Sequence, residues 1–152
     1  MIITDAAPHH VAQMSAFLMR LTEMGKRTRP SDEKFVFDYY VNGDSKIQCA
    51  LAEDDGQVLG FQSLGWATAD NQWGVTPGWG IIGTHVNPDA ARRGVGKALF
   101  AKTLIAAKAA GVENIDATIG DDNAEGLGYY EAIGFKTYRT APGKICKRYT
   151  VT

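Results

Sequence analysis

The sequence is poor in several features that would each have fixed a class. Cysteine is scarce: Cys49 and Cys146 are the only two in 152 residues, and each lies in a strand-like run. That argues against a disulfide framework, and both are expected to be small buried hydrophobes in a reducing compartment. The three histidines, His9, His10 and His85, fall into no ligand spacing with cysteine, so no metal is expected. Net charge is nearly absent, at −1 for pH 7, which gives no electrostatic reason for nucleic acid or a membrane surface as partner. No apolar run approaches the roughly 18 residues of a membrane-spanning helix. Met1-Ile2-Ile3-Thr4-Asp5 has neither the basic nor the apolar region of a secretory signal, so a cytoplasmic location is expected. Internal repeats, low-complexity tracts and linkers are also missing. Residues 1–152 therefore read as one domain, long enough for a single core.

What is present centres on residues 80–110. Gly80-Ile81-Ile82-Gly83-Thr84-His85-Val86 is short, β-branched and bounded by glycine, which predicts a strand. Residues 97–110 are rich in Ala, Leu and Lys, contain no proline and stop at Gly111, which predicts a helix. Between them lies Arg92-Arg93-Gly94-Val95-Gly96-Lys97. A strand, a basic Gly-x-Gly turn and a helix N-terminus form an anion cradle, because the first helical amides are unpaired and the helix dipole is positive there. Gly94 and Gly96 are expected to let the backbone approach a phosphate closely. A P-loop is excluded, since its first Gly position is Ala91 and Ala98 follows Lys97. A dinucleotide fingerprint is excluded because its third Gly position is Leu99.

Two motifs together carry a resemblance. Val86-Asn87-Pro88 followed by Arg92-Arg93-Gly94-Val95-Gly96 resembles the [QR]-x-x-G-x-[GA] pyrophosphate loop of the GNAT superfamily of N-acetyltransferases. The departure is Ala91, where that family has Gln or Arg. Asn123-Ala124-Glu125-Gly126-Leu127-Gly128-Tyr129-Tyr130-Glu131-Ala132-Ile133-Gly134-Phe135 is similar to its N-x-x-A-x-x-[FY]-Y-x-x-x-G-F segment, with Gly126 replacing the usual Ala. A strand over residues 113–118 separates the two, as in the family.

The rest of the chain agrees with such a fold. Ile2-Ile3 opens a first strand. Val11, Met14, Phe17, Leu18 and Leu21 recur at helical spacing, predicting a helix over 8–24. Residues 25–30 form a basic connection, either solvated or, as the resemblance implies, lining the acceptor cleft with Lys26, Arg27 or Arg29. Ser31 is expected to cap a second helix whose buried face is Phe35, Val36, Tyr39 and Tyr40. Asp54-Asp55-Gly56 between runs 47–53 and 58–65 predicts a hairpin. The connection over 67–78 carries Trp73, as either an acceptor-site wall or a lid. A helix over 125–133 and strands near 135–139 and 145–151 complete the order β-α-α-β-β-β-α-β-α-β-β. The implied fold class is α/β (α+β): a mixed, mostly antiparallel sheet of six to seven strands with helices on both faces.

The resemblance implies acetyl-coenzyme A as co-substrate. Its pyrophosphate is expected on Arg92, Arg93, Gly94, Val95, Gly96 and Lys97, and its pantetheine arm at a gap beside His85 and Val86. An amide at that gap would also polarise the thioester carbonyl. Asn123 is expected either to contact the coenzyme or to cap the short helix. Tyr130 matches the family tyrosine beside the sulfur and is the expected general acid, worth the low end of about 10²–10⁴-fold. The central strand has no carboxylate, so the general base is His85, a carboxylate such as Glu23 or Glu33, or water. The expected function is direct acetyl transfer to the primary amine of a small molecule. A protein or peptide amine is the enzymatic alternative, and a non-catalytic coenzyme A-binding sensor module is the alternative from another class. A homodimer is compatible with the resemblance, but no residue locates its interface.

Overall fold

A computed structural model describes residues 1–90 and 93–151. Seven strands form one sheet in the order β1-β2-β3-β4-β5-β7-β6. They are β1 (Ile2–Asp5), β2 (Lys46–Asp54), β3 (Gln57–Trp66), β4 (Gly80–Val86), β5 (Asn114–Gly120), β6 (Lys136–Ala141) and β7 (Lys144–Thr150). The helices are α1 (Val11–Glu23), α2 (Glu33–Val36, continued by a wide turn over Phe37–Val41), α3 (Val95–Ala110) and α4 (Ala124–Ala132). This is the anticipated mixed, mostly antiparallel α/β sheet. No helix among the described residues is long and apolar enough to cross a membrane.

Local chemistry explains the boundaries. Asp55 and Gly56 both take positive φ, 51° and 79°, as a two-residue hairpin turn requires, so β2 and β3 pair immediately on either side. Helix α3 is bracketed by Gly94 (φ 73°) and Gly111 (φ 79°), both left-handed. Asp32, rather than Ser31, caps α2: its carboxylate accepts from the Phe35 amide at 3.1 Å, and the Ser31 hydroxyl is drawn away to Arg27 and Thr22. On that helix Val36 and Tyr40 are buried as expected, whereas Tyr39 is exposed.

Alternation along the central strands sends residues to two cores. Cys49, Leu51 and Phe61 meet Met14, Phe17, Leu18, Val36 and Tyr40 beneath α1 and α2. Ala50, Ala52 and Leu59 meet Val95 and Leu99 of α3 on the opposite face. A third cluster joins Phe100, Ile115, Ala117, Ile119, Tyr130 and Phe135. Cys49 and Cys146 are free and buried, and burial pushes the Cys49 thiol up to about 12, so it behaves as a hydrophobe.

The decisive feature is a split between β4 and β5. They are the parallel neighbours of the sheet, and they pair only at Gly80↔Ile115 and Ile81↔Asp116. Beyond Ile81, β4 keeps its antiparallel partner β3 as far as Val86, and β5 keeps β7 as far as Gly120. The facing edges from Ile82 and Ala117 onward therefore diverge with their backbone groups unpaired by any strand.

Candidate active site

Three pieces converge on the split: the N-terminus of α3, a hydroxyl network on one face of β4, and a cavity on the other. At the first piece, the bond closing α3 runs from the Ala98 amide to the Gly94 carbonyl at 3.1 Å. The amides of Val95, Gly96 and Lys97 are left without partners among the described residues, as expected of an anion cradle. Nothing lies within 4 Å of where a Gly94 side chain would begin, so the turn is open there. Gly96 has a different reason to lack a side chain than the one expected. A Cβ would come within 2.6 Å of the Tyr129 ring, so the absence makes room for a tyrosine.

The basic side chains of the turn do not all face a ligand. Arg93 is committed to Asp54 at 2.6 Å, and Lys97 is exposed. Arg92, expected at this site with its neighbour Ala91, lies outside the described residues. Asn123 caps α4, its side chain accepting from the Gly126 amide at 3.0 Å. That cap explains the glycine at 126, since a Cβ there would sit 2.6 Å from the Asn123 side-chain nitrogen.

On the α3 side of the sheet the polar atoms form one chain. Tyr129 Oη donates to the Gly96 carbonyl at 2.7 Å, and Gln62 Nε2 donates to Tyr129 Oη and Thr84 Oγ1, both at 2.9 Å. Thr84 Oγ1 lies 2.8 Å from Tyr130 Oη. The order of donors follows from its end. A carbonyl oxygen only accepts, so Tyr129 must give its proton to Gly96 and accept from Gln62, which fixes the amide orientation of Gln62. Thr84 therefore accepts from Gln62, and its own proton is available to Tyr130. When Thr84 gives that proton to Tyr130 Oη, the Tyr130 proton is free for another acceptor. Burial raises the Tyr130 pKa, partly offset by the Thr84 hydrogen bond, so the phenol stays protonated at all ordinary pH. Gln62 is fully buried and its Oε1 has no partner, an orphaned acceptor beside the split.

His85 points the other way. With Ile81 and Gly83 it lines a cavity of about 400 Å³ whose walls include Tyr39, Tyr40, Trp66, Trp73 and Thr118. Its ring packs on Phe61 at 4.8 Å and Tyr40 at 5.4 Å. Burial, followed by the positive charges of Arg27 and Arg29, pushes His85 down to about 3, so the imidazole is neutral. Glu23 and Glu33 do not line this cavity; Asp38 and Asp44 do. Trp73 is a wall residue, held by an ordered loop. The Asn71 side chain donates to the Thr68 and Val75 carbonyls at 2.7 and 2.8 Å and accepts from the Trp73 and Val75 amides.

With this geometry in view, the comparisons with known proteins are informative. Residues 12–135 match the model of the acetyltransferase (GNAT) family. The chain belongs to the GNAT family. A mycothiol acetyltransferase of Saccharomonospora viridis is 34% identical over 92 residues, covering 59% of this chain and 30% of that protein. The chain thus matches under a third of that relative's length. Among solved structures, a ribosomal-protein-alanine N-acetyltransferase from Brucella melitensis superposes with a TM-score of 0.82 at 18% identity, covering 99% of both chains. The acetyltransferase candidate yncA of Salmonella typhimurium, solved with its cofactor acetyl-CoA, gives 0.77 at 17% identity over 99% of this chain and 94% of that one. At such identities these two likenesses establish the GNAT fold.

The residues fit the coenzyme this family uses. The open turn at Gly94, the α3 amides without partners among the described residues and the unpaired β4 edge offer donors, and the Gln62 oxygen is an acceptor unmet among the described residues. Sequence reasoning missed Gln62 and Thr84, and gave Tyr129 no part in the site. A single Gln or Thr within a strand carries no periodic signal, and only the Gln62↔Thr84 register brings them together.

Proposed function

We propose that the chain is an acetyl-CoA-dependent N-acetyltransferase that acts directly on the primary amine of a small molecule. The observation that carries this reading is the split between β4 and β5, with a hydroxyl network on one side and an aromatic-walled cavity on the other. Such a gap presents one substrate's reacting end to the second substrate without a covalent enzyme intermediate.

Acetyl-CoA supplies an acetyl group activated as a thioester. The amides of Val95, Gly96 and Lys97 would hold its pyrophosphate, and the Ile82–Val86 edge its arm. An amide at His85 or Val86 would polarise the thioester carbonyl. Tyr130 would face the leaving sulfur. A phenol of pKa about 10 gives a proton to a thiolate of about 8.5 only at a cost of roughly 2 kcal/mol, and burial widens that gap. Tyr130 therefore acts as a hydrogen-bond donor to the developing thiolate, held in that orientation by Thr84. Neutral His85 accepts a hydrogen bond from the attacking amine and aligns it. Its low basicity favours water, among the three bases the sequence left open, as the final proton carrier.

The test is thiol release from acetyl-CoA with amino acids, polyamines, aminoglycosides and short peptides as acceptors. Response to one class of small amine supports the reading. A response confined to peptides would replace it with a protein acceptor, and silence despite acetyl-CoA binding would replace it with a sensor.

A further inference from the structure

Two guanidinium groups belong to the α1–α2 connection, Arg29 in the cavity lining and Arg27 on the hydroxyl of the lining residue Tyr40, and neither meets a carboxylate among the described residues. Arg27 is only 9% exposed, yet it donates to neutral oxygens alone: Ser31 Oγ at 3.1 Å, the Pro30 carbonyl at 2.6 Å and the Tyr40 hydroxyl at 3.2 Å. Arg29 lines the cavity and makes no hydrogen bond among the described residues. Its guanidinium lies 4.5 Å from the Tyr39 ring centre, 5.2 Å from Trp73 and 5.3 Å from Phe35. Aromatic rings satisfy the faces of a guanidinium and leave its N–H edge free for two parallel bonds to a planar anion.

The other charges of the cavity do not cancel this pair. Lys46 Nζ is turned to the Val41 carbonyl at 2.9 Å. The Asp38 carboxylate is held by Lys34 at 2.5 Å, and Asp44 is exposed. Arg27 is buried with only neutral oxygens as partners, a costly arrangement for a charge that an anionic ligand would relieve, and half-exposed Arg29 adds a second positive charge at the cavity wall. The same field is felt at His85, where Arg27 and Arg29 both oppose protonation.

We propose that the acceptor cavity selects amines that also carry a carboxylate, amino-acid-like molecules whose carboxylate sits on the free edge of Arg29 while Arg27 supplies the surrounding positive field. This rests on the acetyltransferase reading and narrows its substrate class. The cavity, about 400 Å³, is near the lower end for ligand sites and has room for one amino-acid-sized acceptor. Its aromatic walls favour an apolar or aromatic side chain. Arg29 is a specificity-determining residue in this scheme, with no proton to transfer.

The experiment measures calorimetric binding of N-acetylleucine, N-acetylmethionine and N-acetylphenylalanine, and of their primary amides, to the protein with coenzyme A present. At least one acid is expected to bind on the order of 10- to 100-fold tighter than its amide, the worth of a charge-assisted bond. Arg29→Met is expected to abolish that preference and Arg29→Lys to restore part of it, since an ammonium cannot reproduce the bidentate fork. The acid–amide comparison on the unaltered protein stands even if a variant folds poorly. Equal binding of acid and amide, binding of N-acetylspermidine instead, or no binding of any probe would overturn the proposal. Turnover of the parent amines is scored separately. Acid-selective binding without transfer keeps this inference and defeats the transfer reading, and transfer to polyamines alone does the reverse.

Discussion

Tyr130→Phe removes one oxygen from the reaction centre and leaves almost everything else in place. The tyrosine is 6% exposed, and its ring packs on Tyr129 at 4.9 Å and Phe135 at 5.1 Å, contacts that phenylalanine keeps. The lost oxygen has one protein partner, Thr84 at 2.8 Å, which retains Gln62 at 2.9 Å. The stability cost is therefore about 1 kcal/mol, the net worth of one ordinary hydrogen bond. The kinetic cost is larger, because the donor faces a weak acceptor in the thioester and a strong one in the departing thiolate. A charge-assisted bond made only as the thiolate forms is worth about 1.5–3 kcal/mol, or roughly 10- to 150-fold in kcat. KM for acetyl-CoA is expected to move by no more than about twofold, since ground-state binding does not use the bond. The pH profile should keep its shape, because a phenol whose pKa is raised has no titration to lose in the working range. Steady-state thiol release against acetyl-CoA concentration measures all three. An unchanged kcat, or a loss that falls wholly in KM, would refute the reasoning.

Other perturbations bear on the same network and its surroundings. Thr84→Val should lower kcat several-fold, to on the order of tenfold, by leaving Tyr130 free to turn its proton elsewhere, with acetyl-CoA affinity preserved; calorimetry beside steady-state kinetics reads both. Gly96→Ala drives a methyl to within 2.6 Å of Tyr129, and displacing that ring should cost about 1–3 kcal/mol in denaturant unfolding. His85 links stability to acid. Its folded pKa lies below its unfolded value of 6.5, at about 3, so the unfolded state alone takes up the proton as pH falls through 6.5. Stability is complete above that pH, and about 2 kcal/mol should be lost between pH 6.5 and 5. His85→Gln should flatten that part of the pH–stability curve, and an identical curve would contradict the burial argument.

The sequence made the fold legible because its local signals agree. Gly111 stops α3, Asp55-Gly56 turns the hairpin, and the apolar spacing of Val11 to Leu21 lays α1 on the sheet. The split was legible only through family resemblance, since no pattern in residues 80–86 or 114–120 says where pairing ends. Within the site, the helix-terminal amides followed from position alone, while the side chains did not. Arg93 belongs to Asp54, and Gly96 is small for the sake of Tyr129; neither contact crosses fewer than thirty residues of chain. Alternation puts His85 on the face shared with Ile81 and Gly83, but its basicity depends on burial and on neighbours from the α1–α2 connection that only the folded chain brings near. Gln62 and Thr84 were invisible for the same reason, as two ordinary strand residues given meaning by register.

The most direct test of acetyl transfer at the split is mass analysis of acceptor and protein after incubation with acetyl-CoA and an amine that triggers thiol release. Expected is an acetylated amine in one-to-one proportion with coenzyme A, with the protein itself unmodified. Coenzyme A released without an acetylated amine, or an acetyl group retained covalently on the protein, would contradict direct transfer.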